Sequence, residues 1–457
     1  MTPKPHAVDR TLWFRTALLP QGWADDVRVS IADGRIRAIE AGVARGEDAG
    51  GDVALPGVAN VHSHAFQRAM AGLTEARGPT DDDFWTWREL MYRFLDRGGP
   101  DEIEAITALA FMEMLEGGFT RVAEFHYLHN DPAGVAYADR AEIAARIVAA
   151  AAETGIGLTL LPVFYAHAGF GGQAPAHGQR RFISDLDGFA ELVARGRALT
   201  GGLTDAVVGV APHSLRAVTP EQLAAMPALA GGGPIHIHVA EQTREVEDCL
   251  AWSGARPVEW LLANAPVDPR WCLIHATHVI EPEWRDVIER GAVVGLCPIT
   301  EANLGDGVFP AAAFSRAGGR FGVGTDSNVQ IGLSDELRML EYSQRLVRRG
   351  RAQMAESGRS TGRALFEQAL AAGGQACGVD ASLAVGAPAD IVALDVTRSA
   401  FADRRGDSVL DSWIFAAPSG SVADVWCAGE QVVRDGRHIA RERVEARYRR
   451  ALAKVLG

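Results

Sequence analysis

An α/β fold, a (β/α)8 barrel carrying a small β-sandwich built from both chain ends, is what this sequence predicts. Three observations predict it. Eight apolar runs alternate with Ala-rich helical segments across the middle of the chain. Short alternating strands with Asp-Gly turns stand at either end. At 457 residues the chain is too long for one small core, yet it suits a barrel with an appended module.

Residues 1–56 read as the first half of the sandwich. "TLWFRTALLP" is followed by "DVRVSIADGRIRAIEAG", in which Val27, Val29 and Ile31 alternate before the turn signal Asp33-Gly34. The barrel occupies 57–380. Its strands are "GVANVHSH", "RVAEFHYL", "GLTLLPVFY", "AVVGVAPHS", "PIHIHVAE", "WCLIHATH", "AVVGLCP" and "RFGVGTDSN". Helices such as "DEIEAITALAFMEMLEGG" supply the apolar faces between them, with Gly117-Gly118 as a stop. The Ala-rich 141–152 tract is a helix rather than a linker. Strand texture returns over 381–440, in "GAPADIVALDV" and "VADVWCAGEQVVRDGRHI", again with an Asp435-Gly436 hairpin turn. The last segment, 441–457, is a C-terminal helix.

Composition narrows the function. Hydrophobic residues at 47% and charged residues at 23% are ordinary for a soluble globular enzyme. A net charge of −13 leaves no basic footprint for nucleic acid or an anionic membrane surface. No run reaches the roughly eighteen apolar residues of a membrane span, and the N-terminus has no secretory-leader pattern, so a cytoplasmic location is expected. The five cysteines are scattered and lack CxxC spacing, which argues against a disulfide framework or a thiolate zinc site. Lysine occurs only at Lys4 and Lys454. An interior carboxylated lysine, Schiff base or pyridoxal attachment is therefore excluded, and a mononuclear metal site is favoured.

The stretch "PGVANVHSHAFQRAM" breaks an apolar run with two imidazoles. Side chains two apart on a strand project to one face, about 7 Å apart, so His62 and His64 can reach one ion. "HIHVAE" adds His236, His238 and Glu241, "IHATH" adds His275 and His278, and "GVGTDSN" adds Asp326. Each follows a mostly apolar run, which puts it at the carboxyl end of a strand, where barrel enzymes assemble their sites. Burying so many ionisable groups at one end is costly unless they are paired or bind metal. Imidazole and carboxylate donors suit Zn²⁺ and other first-row divalent ions, with a position left open for water. That chemistry points to hydrolysis. Glu241, just past its strand, is placed to shuttle protons. Glu124 in "RVAEFHY" reads as a buried carboxylate bonded to an arginine rather than a bridge to a second ion.

The HxH of "NVHSH", the HxxE of "HVAE", the His of "LIHATH" and the Asp of "GVGTDSN" together resemble the amidohydrolase superfamily over essentially the whole chain. Within it, "HSHAFQRAMAGL", "DFWTWRELMY", "EFHYLHN", "PHSLRAV" and "LCPITEANLGDGVFP" resemble the formimidoylglutamate deiminases. The resemblance implies that His62, His64, His238 and Asp326 hold one Zn²⁺ per chain, with Fe²⁺ or another divalent ion left open. It implies that Asp326 also takes a proton from the attacking water, and that Glu241 and His275 serve as proton carrier and electrophilic stabiliser. Gln67, Arg88, Tyr127, His213 and Arg216 carry over as substrate contacts. His126, His129, His236 and His278 are left as supports behind the ligands or as structural residues, His236 on the resemblance alone.

The implied reaction is the hydrolytic deimination of N-formimino-L-glutamate in histidine degradation. Two carboxylates call for two cationic clamps, and Arg88 and Arg216 can each bind one bidentately. The alternative is a related deaminase of a purine, pyrimidine or other ring, for which such clamps would be wasted. A catalytically silent scaffold is the other rival, and an intact ligand set opposes it. Phe84, Trp85 and Trp87 beside Arg88 sit in an 81–98 loop that reads either as a closing lid or as rim packing. The expected partner is a small dicarboxylate, and a homodimer is the expected assembly.

Overall fold

A computed structural model describes residues 10–46, 48–77 and 84–457. The N-terminal flank forms β1 (Arg10–Leu19), β2 (Gly22–Ala32), β3 (Arg35–Glu40) and β4 (Ala49–Pro56). On β2 the buried Val27, Val29 and Ile31 alternate with the half-buried Arg28 and Ser30. Asp33 (φ 53°) and Gly34 (φ 75°) are both left-handed, as a two-residue hairpin loop with right-handed strand twist requires.

From Pro56 the chain runs straight into the barrel. Its strands are β5 (Val58–Ser63), β6 (Phe119–His126), β7 (Gly157–Phe164), β8 (Val207–Val208), β9 (Ala211–Pro212), β10 (Ile235–Val239), β11 (Trp271–His275), β12 (Val293–Leu296) and β13 (Arg320–Val323). Ladder pairing between them is parallel. Strands β5, β6, β10 and β11 are buried at every residue, which is why they appear in sequence as mostly apolar runs without polar alternation to solvent, and why the polar residues within them stand out. The run "AVVGVAPHS", expected as one strand, forms two pieces, β8 and β9, both on β7. The cause is a close approach: a Cβ at Gly209 would stand 2.3 Å from Pro234 O, and Val210 N donates to that carbonyl at 3.0 Å.

The strands β14 (Ile391–Leu394), β15 (Val422–Cys427), β16 (Glu430–Arg434) and β17 (Arg437–His438) return to the first flank. Strand β14 pairs antiparallel with β4, Ile391 opposite Pro56 and Leu394 opposite Val53. One sheet results, in the order β17-β16-β15-β14-β4-β1-β2-β3. It curls round its own core: Phe14 on β1 and Trp426 on β15 meet edge-on at 5.8 Å although two strands separate them in the sheet order. The C-terminal helix, Arg441–Leu456, lies along helix Pro100–Glu116, with Lys454 Nζ 2.6 Å from Glu102 Oε1.

Two half-sheets, β5 to β9 and β10 to β13, close into a ring through isolated bridges. Val210 to Ile235 and Ser214 to His238 make one seam, and Ser63 to Asp326 makes the other. At the second seam His62 O accepts from Asp326 N at 2.9 Å and Thr325 N at 3.1 Å, and His64 N donates to Asp326 O at 2.9 Å. A side-chain net reinforces it. Asn60 Nδ2 donates to Thr325 Oγ1 at 2.7 Å, Thr325 Oγ1 to Asn328 Oδ1 at 2.6 Å, and Asn328 Nδ2 to Ser63 Oγ and His64 O at 3.2 Å each. Gly324 lets the strands meet this closely, since a Cβ there would lie 2.8 Å from His62 N and O.

The 81–98 segment departs from expectation. Residues 81–83 and the side chains of Phe84 and Trp85 lie outside the described residues, but Phe84–Leu95 is a helix, not a loop. Its Trp87, Met91 and Leu95 follow the helical i, i+4, i+8 spacing and face inward. The flanking Gly and Asp that suggest a loop sit beyond the helix ends. Among the described residues no helix is long and apolar enough to cross a membrane.

Two outcomes follow from this packing. Gly324→Ala forces a methyl against backbone and is expected to cost at least about 1–3 kcal/mol, read as a fall in thermal midpoint. Burial pushes His129, whose Nε2 donates to Val163 O at 2.7 Å, down to about 4. An unfolded imidazole protonates near 6.5, so between these values the unfolded chain binds the extra proton. Stability therefore falls as pH drops from about 6.5 to about 4, by about 3 kcal/mol for this group. Thermal midpoints against pH should show a shallower acid slope in His129→Gln.

Candidate active site

The carboxyl ends of β5, β10, β11 and β13 deliver His62, His64, His238, His275 and Asp326 to one buried centre. Asp326 Oδ1 lies 3.3 Å from His64 Nε2 and 3.5 Å from His62 Nε2, and the Nε2 atoms of His62 and His238 are 3.0 Å apart. Ligand atoms of His62, His64 and Asp326, and likewise of His62, His238 and His275, all lie within 4.8 Å of one another. Beneath them the Phe125 ring, 4.9 Å from His62 and 4.5 Å from His238, is an apolar floor. Several strand-end residues are left-handed here: Ala240 (φ 53°), His275 (φ 67°) and Asp326 (φ 43°). Such strain in non-glycine residues gathers where function needs a side chain aimed off the strand.

The donor chemistry fits a cation. His64 Nδ1 donates to Phe125 O at 2.8 Å and His238 Nδ1 to His213 O at 3.0 Å. Each ring's proton is therefore on Nδ1, and each Nε2 presents a bare lone pair. Burial pushes His62 down to about 3 and lowers His64 and His238 as well, so all three are neutral at pH 7. Burial raises the Asp326 carboxyl, but the hydrogen bond from His62 and the surrounding imidazoles more than offset this and hold it below the usual carboxylate range. Two bare imidazole nitrogens, His62 and a carboxylate oxygen thus face one point. A single proton on His62 cannot satisfy all of them, and a divalent ion can.

His275 differs. Burial would lower it, yet the carboxylates of Glu241 at 3.8 Å, Glu301 at 3.2 Å and Asp326 at 3.7 Å raise it to about 10. It keeps its proton and is a hydrogen-bond donor beside the centre rather than a bare ligand. Burial lifts the Glu241 carboxyl above its ordinary value, against the pull of His275 and Arg216.

One pocket of about 650 Å³, counting its open mouth, joins this centre to every expected substrate contact. His64, His238, Glu241, His275 and Asp326 line it together with Gln67, Arg88, Tyr127, His213 and Arg216. Gln67 Nε2 donates to Tyr127 Oη at 2.8 Å, and its buried Oε1 has no partner among the described residues. Arg216 Nη2 lies 3.9 Å from Glu241 Oε2 and 3.8 Å from Glu245 Oε2.

Other residues fall elsewhere. His236 Nε2 bonds Ala376 O at 2.8 Å and lines no pocket wall here, and His126 packs edge-on against His129 at 5.2 Å. Among the described residues no arginine pairs with Glu124: its Oε1 accepts from Ala65 N at 2.7 Å and burial lifts it to about 8. A neutral acid capping a backbone amide needs no counter-charge, which corrects the expectation. Sequence reasoning gives no role to Glu301, which holds His275 Nδ1 and accepts from Cys297 N at 2.9 Å. It also passes over Tyr92, Tyr165 and Phe182, which line the pocket, and Glu245. Glu301 sits inside the conspicuous "LCPITEANLGDG", so a signal existed; for the others, spacing carries none. Cys297, one of the five scattered cysteines, brings its sulfur within 4.8 Å of His275 and Asp326 ligand atoms, though burial raises its pKa well above normal.

A family model described as "Amidohydrolase family" matches residues 53–432, and one described as "Formimidoylglutamate deiminase HutF, N-terminal domain" matches residues 10–52. Formimidoylglutamate deiminase of Pseudomonas aeruginosa is 51% identical over 453 residues, covering 98% of each chain. A 5-methylthioadenosine/S-adenosylhomocysteine deaminase of Natronomonas pharaonis is 28% identical, covering 85% of this chain and 83% of its own. The crystal structure of an amidohydrolase from Brucella melitensis matches with TM-score 0.94 and 53% identity, over 98% of this chain and 100% of that one. An adenosine deaminase from Xanthomonas campestris with bound zinc matches with TM-score 0.82 and 23% identity, over 99% of both chains, a likeness of fold alone.

A divalent ion held by these converging lone pairs would be linked to the folded state. Removing metal with a chelator is expected to lower the thermal midpoint by several degrees, and restoring one equivalent of Zn²⁺ should recover it; an unchanged midpoint would speak against a metal centre.

Proposed function

The chain belongs to the amidohydrolase family and within it to the formimidoylglutamate deiminases, and from that premise we propose how its residues divide the work of one hydrolysis. The enzyme cleaves a carbon–nitrogen bond: it deiminates formiminoglutamate in histidine degradation. Water replaces the imino nitrogen, leaving N-formyl-L-glutamate and ammonia.

His62, His64, His238 and Asp326 would hold the divalent ion, Zn²⁺ in this reading, with Fe²⁺ satisfying the same donors. When bound, the ion supplies Lewis acidity, acidifying water and withdrawing charge from the reacting centre. Asp326 takes a proton from the attacking water. Glu241, raised by burial, carries a proton to the departing nitrogen. His275, held protonated by its three carboxylates, would donate a hydrogen bond to the oxygen that becomes attached to the tetrahedral carbon. Gln67 Oε1 offers a buried acceptor to the amidine N–H, with Tyr127 and His213 completing the cradle.

The observation that carries this reading is the charge layout of a single pocket. Carboxylates and imidazoles gather around the metal ligands, and Arg88 and Arg216 line the same cavity. A substrate with a cationic amidine head and two carboxylates matches that polarity. A planar uncharged ring offers no carboxylate for the two guanidinium groups to clamp. In the same reading the barrel 57–380 is the catalytic domain, the flanks 1–56 and 381–440 with helix 441–457 brace it, and the enzyme is a cytoplasmic homodimer.

Ammonia release from N-formimino-L-glutamate, and none from guanine or cytosine, is the expected result with zinc-loaded enzyme. Arg216→Met should raise KM by about tenfold or more with kcat little changed, whereas Glu241→Gln should lower kcat by at least about a hundredfold. Equal, mild losses in both variants would overturn this division of roles.

A further inference from the structure

Glu245 is the third residue of helix Thr243–Ser253, and no part of it reaches solvent. An acidic residue in a first helical turn ordinarily stands in water, favoured by the helix dipole. This one turns inward. Its Oε1 accepts from Ala240 N and its Oε2 from Glu241 N, each at 3.1 Å. Those amides belong to the left-handed turn at Ala240 that leaves β10 and aims Glu241 at His275. The same Oε2 lies 3.8 Å from Arg216 Nη2, which is in turn 3.9 Å from Glu241 Oε2.

A fully buried carboxylate is costly unless hydrogen bonds and an opposite charge meet it. Here two backbone amides and a guanidinium do so: one amide is that of the proton carrier Glu241, the other that of Ala240 just before it, and the guanidinium is that of the clamp Arg216. We propose that Glu245 is a positioning residue for the deimination, holding the Glu241 turn and the Arg216 head group in register so that proton delivery and substrate capture depend on one buried anion. The proposal rests on the roles given above to Glu241 and Arg216. Its physical basis is preorganisation: a turn and a guanidinium already oriented lose less conformational freedom on reaching the reactive geometry. A purely structural cap would affect the thermal midpoint and leave the kinetics of the folded enzyme alone.

Steady-state kinetics of the full-length, zinc-loaded enzyme on N-formimino-L-glutamate test this. Glu245→Gln keeps the shape, removes the charge and turns an N–H toward an amide, so KM should rise and kcat fall, each by about tenfold. Glu245→Asp keeps the charge but falls a methylene short. Its KM should stay within about threefold while kcat drops about tenfold, because the Glu241 turn loosens. In an Arg216→Met background, Glu245→Gln should add less than about threefold to KM while its effect on kcat persists. Wild-type kcat and KM in soluble, zinc-loaded Glu245→Gln would overturn the proposal, as would full additivity with Arg216→Met in KM. Should Glu245→Gln fail to fold, an unchanged kcat in Glu245→Asp overturns it instead. An unchanged KM in Arg216→Met alone would retire the clamp assignment, and the hold on Glu241 would then stand or fall by kcat.

Discussion

The structure depends on one short stretch of backbone pairing, where β5 meets β13 and the barrel closes. His62 O, Asp326 N, Asp326 O and His64 N form that contact. The residues that complete the ring are the residues that face the metal centre. Closure and ligand geometry are therefore a single constraint: the ladder sets the spacing of the imidazoles from the carboxylate. Asn60, Thr325 and Asn328 stiffen the contact with buried hydrogen bonds, and Gly324 supplies the clearance. Asp326 pays for this arrangement with a left-handed backbone that the surrounding network holds in place.

Around that seam the interior tolerates a density of ionisable groups that an apolar core would reject. It does so by holding each group in a definite protonation state. His62, His64 and His238 are neutral, Asp326 is ionised, His275 is charged among three carboxylates and Glu124 is a neutral acid on a backbone amide. Opposed shifts of neighbouring groups are how one pocket carries acid, base and electrophile at a single pH. The arginines extend this polarity along the wall, so the pocket is complementary to a molecule that is itself polar from end to end.

Much of this is legible in the chain. Buried parallel strands must be apolar along their length, so the eight runs stand out, and polar residues closing them mark the mouth of the barrel. His62 and His64 share a face because strand geometry has a period of two, and the Asp-Gly pairs at 33–34 and 435–436 mark hairpins because both residues must be left-handed. The helix Phe84–Leu95 is obscured because its Gly- and Asp-rich flanks speak for a loop while its inward stripe of Trp87, Met91 and Leu95 is short. The split of the fourth strand is invisible for another reason: it arises from Pro234, which belongs to the next unit.

What the sequence by itself determined is the fold class, the donor types and the strand ends they occupy, along with the scarcity of lysine that rules out a lysine-based site. Only the tertiary structure decided which partner each charged group has: that Glu124 caps Ala65 rather than an arginine, that Glu301 holds His275, and that Glu245 reaches both Glu241 and Arg216. Periodicity records which face a side chain takes, because that is a local property of the backbone. What stands opposite that face depends on how distant segments meet, and no spacing along one strand or helix contains it.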